Sequence, residues 1–236
     1  MPFQSIEPRR LYRQIADQIR LLVRSGEFPP GSRLPPERDL AKQLGVSRPS
    51  VREALIALEV EGLVEVRIGS GIYVLASQEL PGLPADTEAD APAGPFELLR
   101  ARYVIEAECA ALAAKSATKH HLQAIEAALV EMEREHAAGT QPLAFDRTFH
   151  LRIAEATGNG ALVHVVKTLW DERMGPLYLQ LEEHYDTPGL WETAMAEHRA
   201  VQKAIASRDP VAAKAAMQRH LTKSYKRFSQ GWNTLQ

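Results

Sequence analysis

The chain has 236 residues, a formal net charge of −2 and a single cysteine. That length accommodates two modest domains, and the near-neutral charge excludes nucleic-acid binding driven by bulk electrostatics alone. One cysteine, Cys109, excludes an intramolecular disulfide and fits a reducing compartment. No signal-peptide pattern or long apolar span is present, so a cytoplasmic protein with no membrane partner is expected.

Along the chain, the first helical pattern is Leu11, Ile15, Ile19 and Leu22, stopped by Gly26 and Pro29-Pro30-Gly31. Residues 34–52 then read LPPERDLAKQLGVSRPSVR. Two short amphipathic helices fit here, separated by a tight turn at Gly45. In the first, Leu40, Ala41 and Leu44 form the apolar face. In the second the face is Val51, Ala54, Leu55 and Leu58, with Gly62 at the C′ position. Ser47 is a natural N-cap, and Pro49 lies in the first turn, where its missing donor costs little. Arg48, Ser50 and Arg52 are then presented by the opening turns. This is the pattern of a helix-turn-helix whose recognition helix enters the major groove N-terminus first.

After Gly62 the period changes to two. Leu63–Arg67 and Ile72–Leu75 flank Ile68-Gly69-Ser70-Gly71, which predicts a hairpin, and a hairpin in this position is a wing. A plain three-helix bundle with a hairpin would explain each motif singly, but not their order within one compact segment. Residues 1–77 are only slightly richer in basic than acidic residues. DNA binding must therefore rest on where the arginines point, with a homodimer doubling them on a palindromic operator.

These stretches resemble the DNA-binding domain of the GntR superfamily: L-P-x-E-R-x-L-A, L-G-V-S-R-x-x-V-R-E-A-L, L-x-x-x-G-L-V and G-x-G-x-x-V. The resemblance implies that Arg38, Arg48 and Arg52 contact DNA, that Ser47 and Ser50 contact phosphates, and that Gly69 is the wing tip. Pro49 departs from a position that is often Thr, and Ile68 and Ser70 from wing positions that are polar or basic in some members.

Residues 78–94 are rich in Pro, Ala, Gly and acids and lack periodicity, which predicts a linker. From residue 95 to 236 the expectation is an all-α antiparallel bundle. Helices fit 96–115, 119–138, 142–157, 161–183, 189–207 and 210–229, with Pro142, Pro188 and Pro210 at helix starts. Gly175-Pro176 is expected to kink or split the fourth of these.

The informative feature of this half is polar residues on apolar helix faces. Asp146 and His150 stand at i, i+4 in line with Leu143, Ile153 and Ala154. His198 shares a face with Ala194, Val201 and Ile205, and His220 with Ala213 and Met217. Any one of these histidines could be a satisfied core residue or face solvent. Buried together without partners they would be costly, whereas a divalent cation would satisfy all four. This ligand set suits zinc, nickel or manganese better than calcium. His120, His121, His136, His164 and His184 lack such a pattern and read as surface residues.

This half resembles the FCD ligand-binding domain of the FadR-type branch of the same superfamily. The matching stretches are FELLRARYVIE at 96–106, DRTFHLRIAEATGN at 146–159, EHRAVQKAI at 197–205 and MQRHL at 217–221. The resemblance implies metal ligation by Asp146, His150, His198 and His220. It also implies a cavity-facing Arg102 that pairs with a small carboxylate effector, an acidic position at Glu106, and an effector-side role for Asn159. Stretches within 58–72 most resemble hexuronate-utilisation repressors. The expectation is a non-enzymatic, acid-responsive repressor. The alternatives are a metal-dependent hydrolase or lyase fused to a DNA-binding module, and a regulator that senses metal alone.

Overall fold

A computed structural model describes residues 10–76, 92–185 and 189–230. Most of the expected linker 78–94 and the helix start at Pro188 lie outside the described residues. Within them the chain divides into two compact units. One holds residues 10–76, 92–96, 175–184 and 229–230; the other holds 97–174 and 185–228.

The first unit opens with α1 (Leu11–Arg24), α2 (Glu37–Leu44) and α3 (Arg48–Val60). The buried face of α1 is Tyr12, Ile15, Ala16 and Ile19, whereas Leu11 and Leu22 are exposed. The apolar stripe is thus centred one residue away from where the leucines alone suggest. Gly45 closes α2 in the left-handed region at φ 67°. Ser47 caps α3, its side chain accepting from the Ser50 N–H at 3.3 Å. Val51, Ala54, Leu55 and Leu58 are wholly inaccessible, which makes α3 the spine of this unit.

Strands β1 (Val64–Arg67) and β2 (Gly71–Val74) form the antiparallel wing hairpin, pairing Val64 with Val74 and Arg67 with Gly71. The second edge of β2 is also covered. Gly31 and Leu34 donate to the Val74 and Ile72 carbonyls, and Val74 donates to Ser32. The segment after α1, expected only to stop that helix, therefore protects the wing's open edge. Gly71 sits at φ 127°, and a Cβ there would fall on the Arg33 guanidinium. Gly71→Ala is expected to cost about 1–3 kcal/mol of stability from backbone strain, read by thermal unfolding.

Helix α8 (Pro176–Glu183) belongs to this first unit and packs on α3. Leu177, Tyr178 and Leu181 are its buried residues. Just beyond it, His184 Nε2 lies 2.5 Å from Glu59 Oε2, while Glu59 Oε1 accepts from the Val66 N–H at 2.8 Å. His184 is therefore not a surface residue: the carboxylate on α3 draws its imidazole inward.

The second unit is helical: α4 (Pro95–Ser116, apart from its first two residues), α5 (Lys119–Ala137), α6 (Leu143–Glu155), α7 (Gly160–Arg173), α9 (Leu190–Ala206) and α10 (Pro210–Ser229, apart from its last residue). The run expected over 161–183 is split at Gly175-Pro176 into α7 and α8. Small residues of α4 pack with Leu129, Met132, Phe149, Ile153, Val166, Trp170, Val201, Ile205, Met217 and Leu221 in one core. Cys109 is buried in that core, and burial pushes its thiol pKa up to about 12, so it packs rather than reacts. Among the described residues, no helix is long and apolar enough to cross a membrane.

Candidate DNA-reading helix and metal centre

The N-terminal turn of α3 is accessible. Ser47 and Arg48 are exposed and Ser50 is half-buried, with the two hydroxyls 2.8 Å apart. The Arg38 side chain is 82% accessible, its Nε 3.3 Å from the neighbouring Asp39. Gly69 lies in the wing turn at φ 74° with nothing within 4 Å of a Cβ position. Nearby, Arg67 stacks over Tyr73 and pairs with Glu65 at 2.7 Å. Arg38, Ser47, Arg48 and Gly69 are therefore available to a duplex, and Ser50 is partly so.

Arg52 is not. Its side chain is fully inaccessible, with Nε and Nη2 donating to Glu37 Oε2 at 2.9 and 2.5 Å. The expectation that Arg52 contacts DNA is corrected here. One turn further along α3 than Arg48, it lies under α2, where the buried Glu37 carboxylate draws the guanidinium inward. Glu37 belongs to the recognised motif, yet spacing alone assigned it no task.

In the second unit, α6 brings in Asp146 and His150, α9 His198 and α10 His220; all four are buried. The three imidazoles each offer a ring nitrogen within 4.8 Å of the others. His150 Nε2 and His198 Nε2 are 3.3 Å apart. Asp146 Oδ1 stands 3.1 Å from His198 Nε2 and 3.5 Å from His150 Nε2. Residues from three helices, distant in sequence, converge as the periodicity suggested.

A surrounding layer orients them. Glu106 Oε2 meets His150 Nδ1, and Glu106 Oε1 accepts from Arg102 Nε at 2.6 Å. Glu197 Oε2 lies 2.9 Å from His220 Nδ1 and its other oxygen 3.1 Å from Lys223 Nζ. Carboxylates on the Nδ1 side turn both Nε2 atoms toward the cluster, as metal-ligating histidines are commonly held. Arg102 and Arg173 lie over the Trp170 ring, 4.1 and 4.7 Å from its centroid, and Arg173 Nη2 is 3.4 Å from Asp146 Oδ2. Arg102 is thus buried beside the cluster, joined to His150 through Glu106. Asn159 is elsewhere in role: it is exposed and caps α7, its Oδ1 accepting from Ala161 and Leu162. Its oxygen is spent on the helix end, and the effector-side reading is corrected to a cap.

Burial and the neighbouring carboxylates set the charge states of the cluster. Burial holds His198 and His220 below the ordinary imidazole range, His220 well below, with the neighbouring imidazoles adding to the effect. For His150, burial is outweighed by Glu106 and Asp146, and its pKa is raised. Asp146 is held well below the usual carboxylate range because its histidine and Arg173 contacts overcome burial. Near neutral pH, His198 and His220 therefore offer lone pairs and Asp146 a charge. Asp146 Oδ1 and His198 Nδ1 are buried without a hydrogen bond of normal geometry. Such orphans fit a divalent cation among these donors.

Glu106 is depressed from 4.5 to about 2, since Arg102 and His150 overcome burial. A carboxylate whose folded pKa lies below its unfolded value adds stability above the unfolded value, and this is lost as pH falls through the folded one. Metal-free protein is expected to lose stability between about pH 4.5 and 2. Glu106→Gln should flatten that part of the curve, read by urea titration at stepped pH.

Sequence reasoning missed Arg173, Trp170 and Glu197 at this centre. Arg173 and Trp170 reach it from α7 and Glu197 from α9, and no local spacing marks residues that meet across helices.

A winged helix-turn-helix with an exposed arginine on its recognition helix, joined to a helical unit with a buried polar centre, defines a DNA-binding regulator. Residues 11–74 match the family described as "Bacterial regulatory proteins, gntR family", and residues 97–223 match the FCD domain. The Uxu operon transcriptional regulator of Escherichia coli K12 is 42% identical over 219 residues, covering 90% of this chain and 84% of that protein. The Exu regulon transcriptional regulator of the same strain is 41% identical over 220 residues, covering 91% and 83%. The solved structure of Lar, described as controlling expression of the Listeria monocytogenes agr system, superposes with a TM-score of 0.52 at 17% identity. It covers 94% of this chain and 98% of that one, and shares the fold. The chain belongs to the GntR family of transcriptional regulators, with a C-terminal FCD domain.

Proposed function

We propose that this regulator is a cytoplasmic homodimeric repressor that leaves a palindromic operator when a hexuronate or related sugar acid binds its helical half. The DNA-binding half is assigned to residues 1–77 and the effector half to 95–236, joined by the linker 78–94. In this reading a divalent metal, zinc first and nickel or manganese next, is held by Asp146, His150, His198 and His220. The observation that carries it is the set of four buried metal-competent side chains converging in one helical unit. The similarity to the Uxu and Exu regulators favours a sugar acid.

A bound divalent cation would supply coordination positions to a carboxylate and an adjacent hydroxyl. The chain's own residues do the rest. Glu106 and Glu197 hold two imidazoles in orientation, and Arg102 supplies a buried cation to the acid's negative charge. Acid binding shifts the population of domain placements in the dimer, and operator affinity falls because two half-sites must be met together.

Arg102→Ala is expected to retain the metal and weaken the acid response by roughly 10-fold or more, since hydrogen bonds to charged groups contribute about 1.5–3 kcal/mol. The check is a galacturonate and glucuronate titration of the operator complex with metal content measured in parallel. Release by metal alone, without acid, would instead assign the protein as a metal sensor.

A further inference from the structure

We infer that Glu37 is a positioning residue for base reading: it grips Arg48 by its Nε and leaves the two-Nη edge of that guanidinium aimed outward for a guanine. The inference rests on α3 being the recognition helix. Glu37 is buried, its side chain 8% accessible, whereas Arg48's is 46% accessible. Glu37 Oε1 accepts from Arg48 Nε at 2.8 Å, and Oε2 takes Nε and Nη2 of Arg52. One carboxylate therefore bridges two arginines a turn apart on α3.

The geometry has two consequences. A guanidinium can meet a pair of acceptors through its Nε–Nη edge or through its two-Nη edge. With Nε committed to Glu37, the second edge is the one left for the O6 and N7 acceptors of guanine. Free arginine samples many rotamers, and a grip at Nε fixes the side chain before DNA arrives, so less freedom is lost on binding.

Glu37 stands beside Arg38 in the chain, and the contrast separates their roles. Arg38 is open to solvent and available to a phosphate, whereas Glu37 faces inward and acts only through Arg48 and Arg52. A phosphate contact changes affinity for all sequences alike; a positioning residue changes the preference at one base pair.

The test selects full-length protein against a random-sequence DNA duplex pool and reads base preference at each position. Arg48→Ala first identifies the position whose guanine preference depends on Arg48; if no position changes, the recognition-helix reading itself fails. Glu37→Gln is then compared at that position, at a temperature where circular dichroism shows it folded. Glu37→Asp is run beside it, because it keeps the countercharge for buried Arg52 while shortening the reach to Arg48. The expected result is a loss of about 10-fold in guanine preference at the Arg48 position, with smaller changes elsewhere. Retained preference in either folded Glu37 variant would overturn the inference. An equal loss at every position would also overturn it, because that is what a merely structural role produces.

Discussion

His198→Ala is expected to abolish metal uptake and the acid response together, while leaving DNA binding in place. His198 Nε2 stands 3.1 Å from Asp146 Oδ1 and 3.3 Å from His150 Nε2, so its loss opens the cluster. A ligand present at 1,000 times its dissociation constant stabilises a folded protein by about 4.1 kcal/mol. Wild-type protein should therefore melt several degrees higher with zinc than with a chelator, and His198→Ala should show almost no difference. The winged helix is a separate compact unit, so operator affinity of the variant should stay near wild type but no longer fall when acid is added. A variant that still gains the full zinc stabilisation would remove His198 from the ligand set.

The second large effect separates the two arginines of α3. Arg52→Ala removes a wholly buried side chain and leaves the buried Glu37 only the exposed Arg48 as a partner, and breaking a buried pair by removing one partner costs about 3–5 kcal/mol. This variant should lose stability first and DNA binding as a consequence. Arg48→Ala truncates an exposed side chain, so stability should hold while specific affinity falls by about 1–3 kcal/mol per half-site. Thermal unfolding and operator titration at matched salt distinguish them. The opposite pattern, a stable Arg52→Ala with lost specificity, would return Arg52 to the DNA surface.

How much of this was legible in the sequence follows from how local each signal is. The caps at Ser47, Gly45 and Gly62 are set by neighbouring residues, and they sit where spacing predicts. The metal-competent set was legible because each member lies on an apolar face of its own helix, and convergence follows once those faces share a core. What spacing could not show is partnership between elements. Arg48 and Arg52 look equivalent along the chain; only the position of Glu37 on α2 makes one a surface group and the other a buried strut. His184 looked like a surface residue because its partner, Glu59, lies far away in sequence. Asn159 matched a family position, yet its local geometry commits it to capping α7. The split at Gly175-Pro176 was visible, but not that α8 would group with the winged helix, because its apolar face fits either neighbour by composition alone.

The central claim is that a metal-held sugar acid in the helical unit controls DNA binding by the winged helix. The most direct measurement is operator affinity of the purified full-length protein, with metal content determined by mass spectrometry. It is taken with and without galacturonate or glucuronate, before and after metal removal by a chelator and zinc restoration. The account predicts one divalent metal per chain, a fall in operator affinity with one of the acids, loss of that response on chelation, and recovery with zinc. Protein that carries and takes up no metal, or that responds to the acid equally well after chelation, would contradict it.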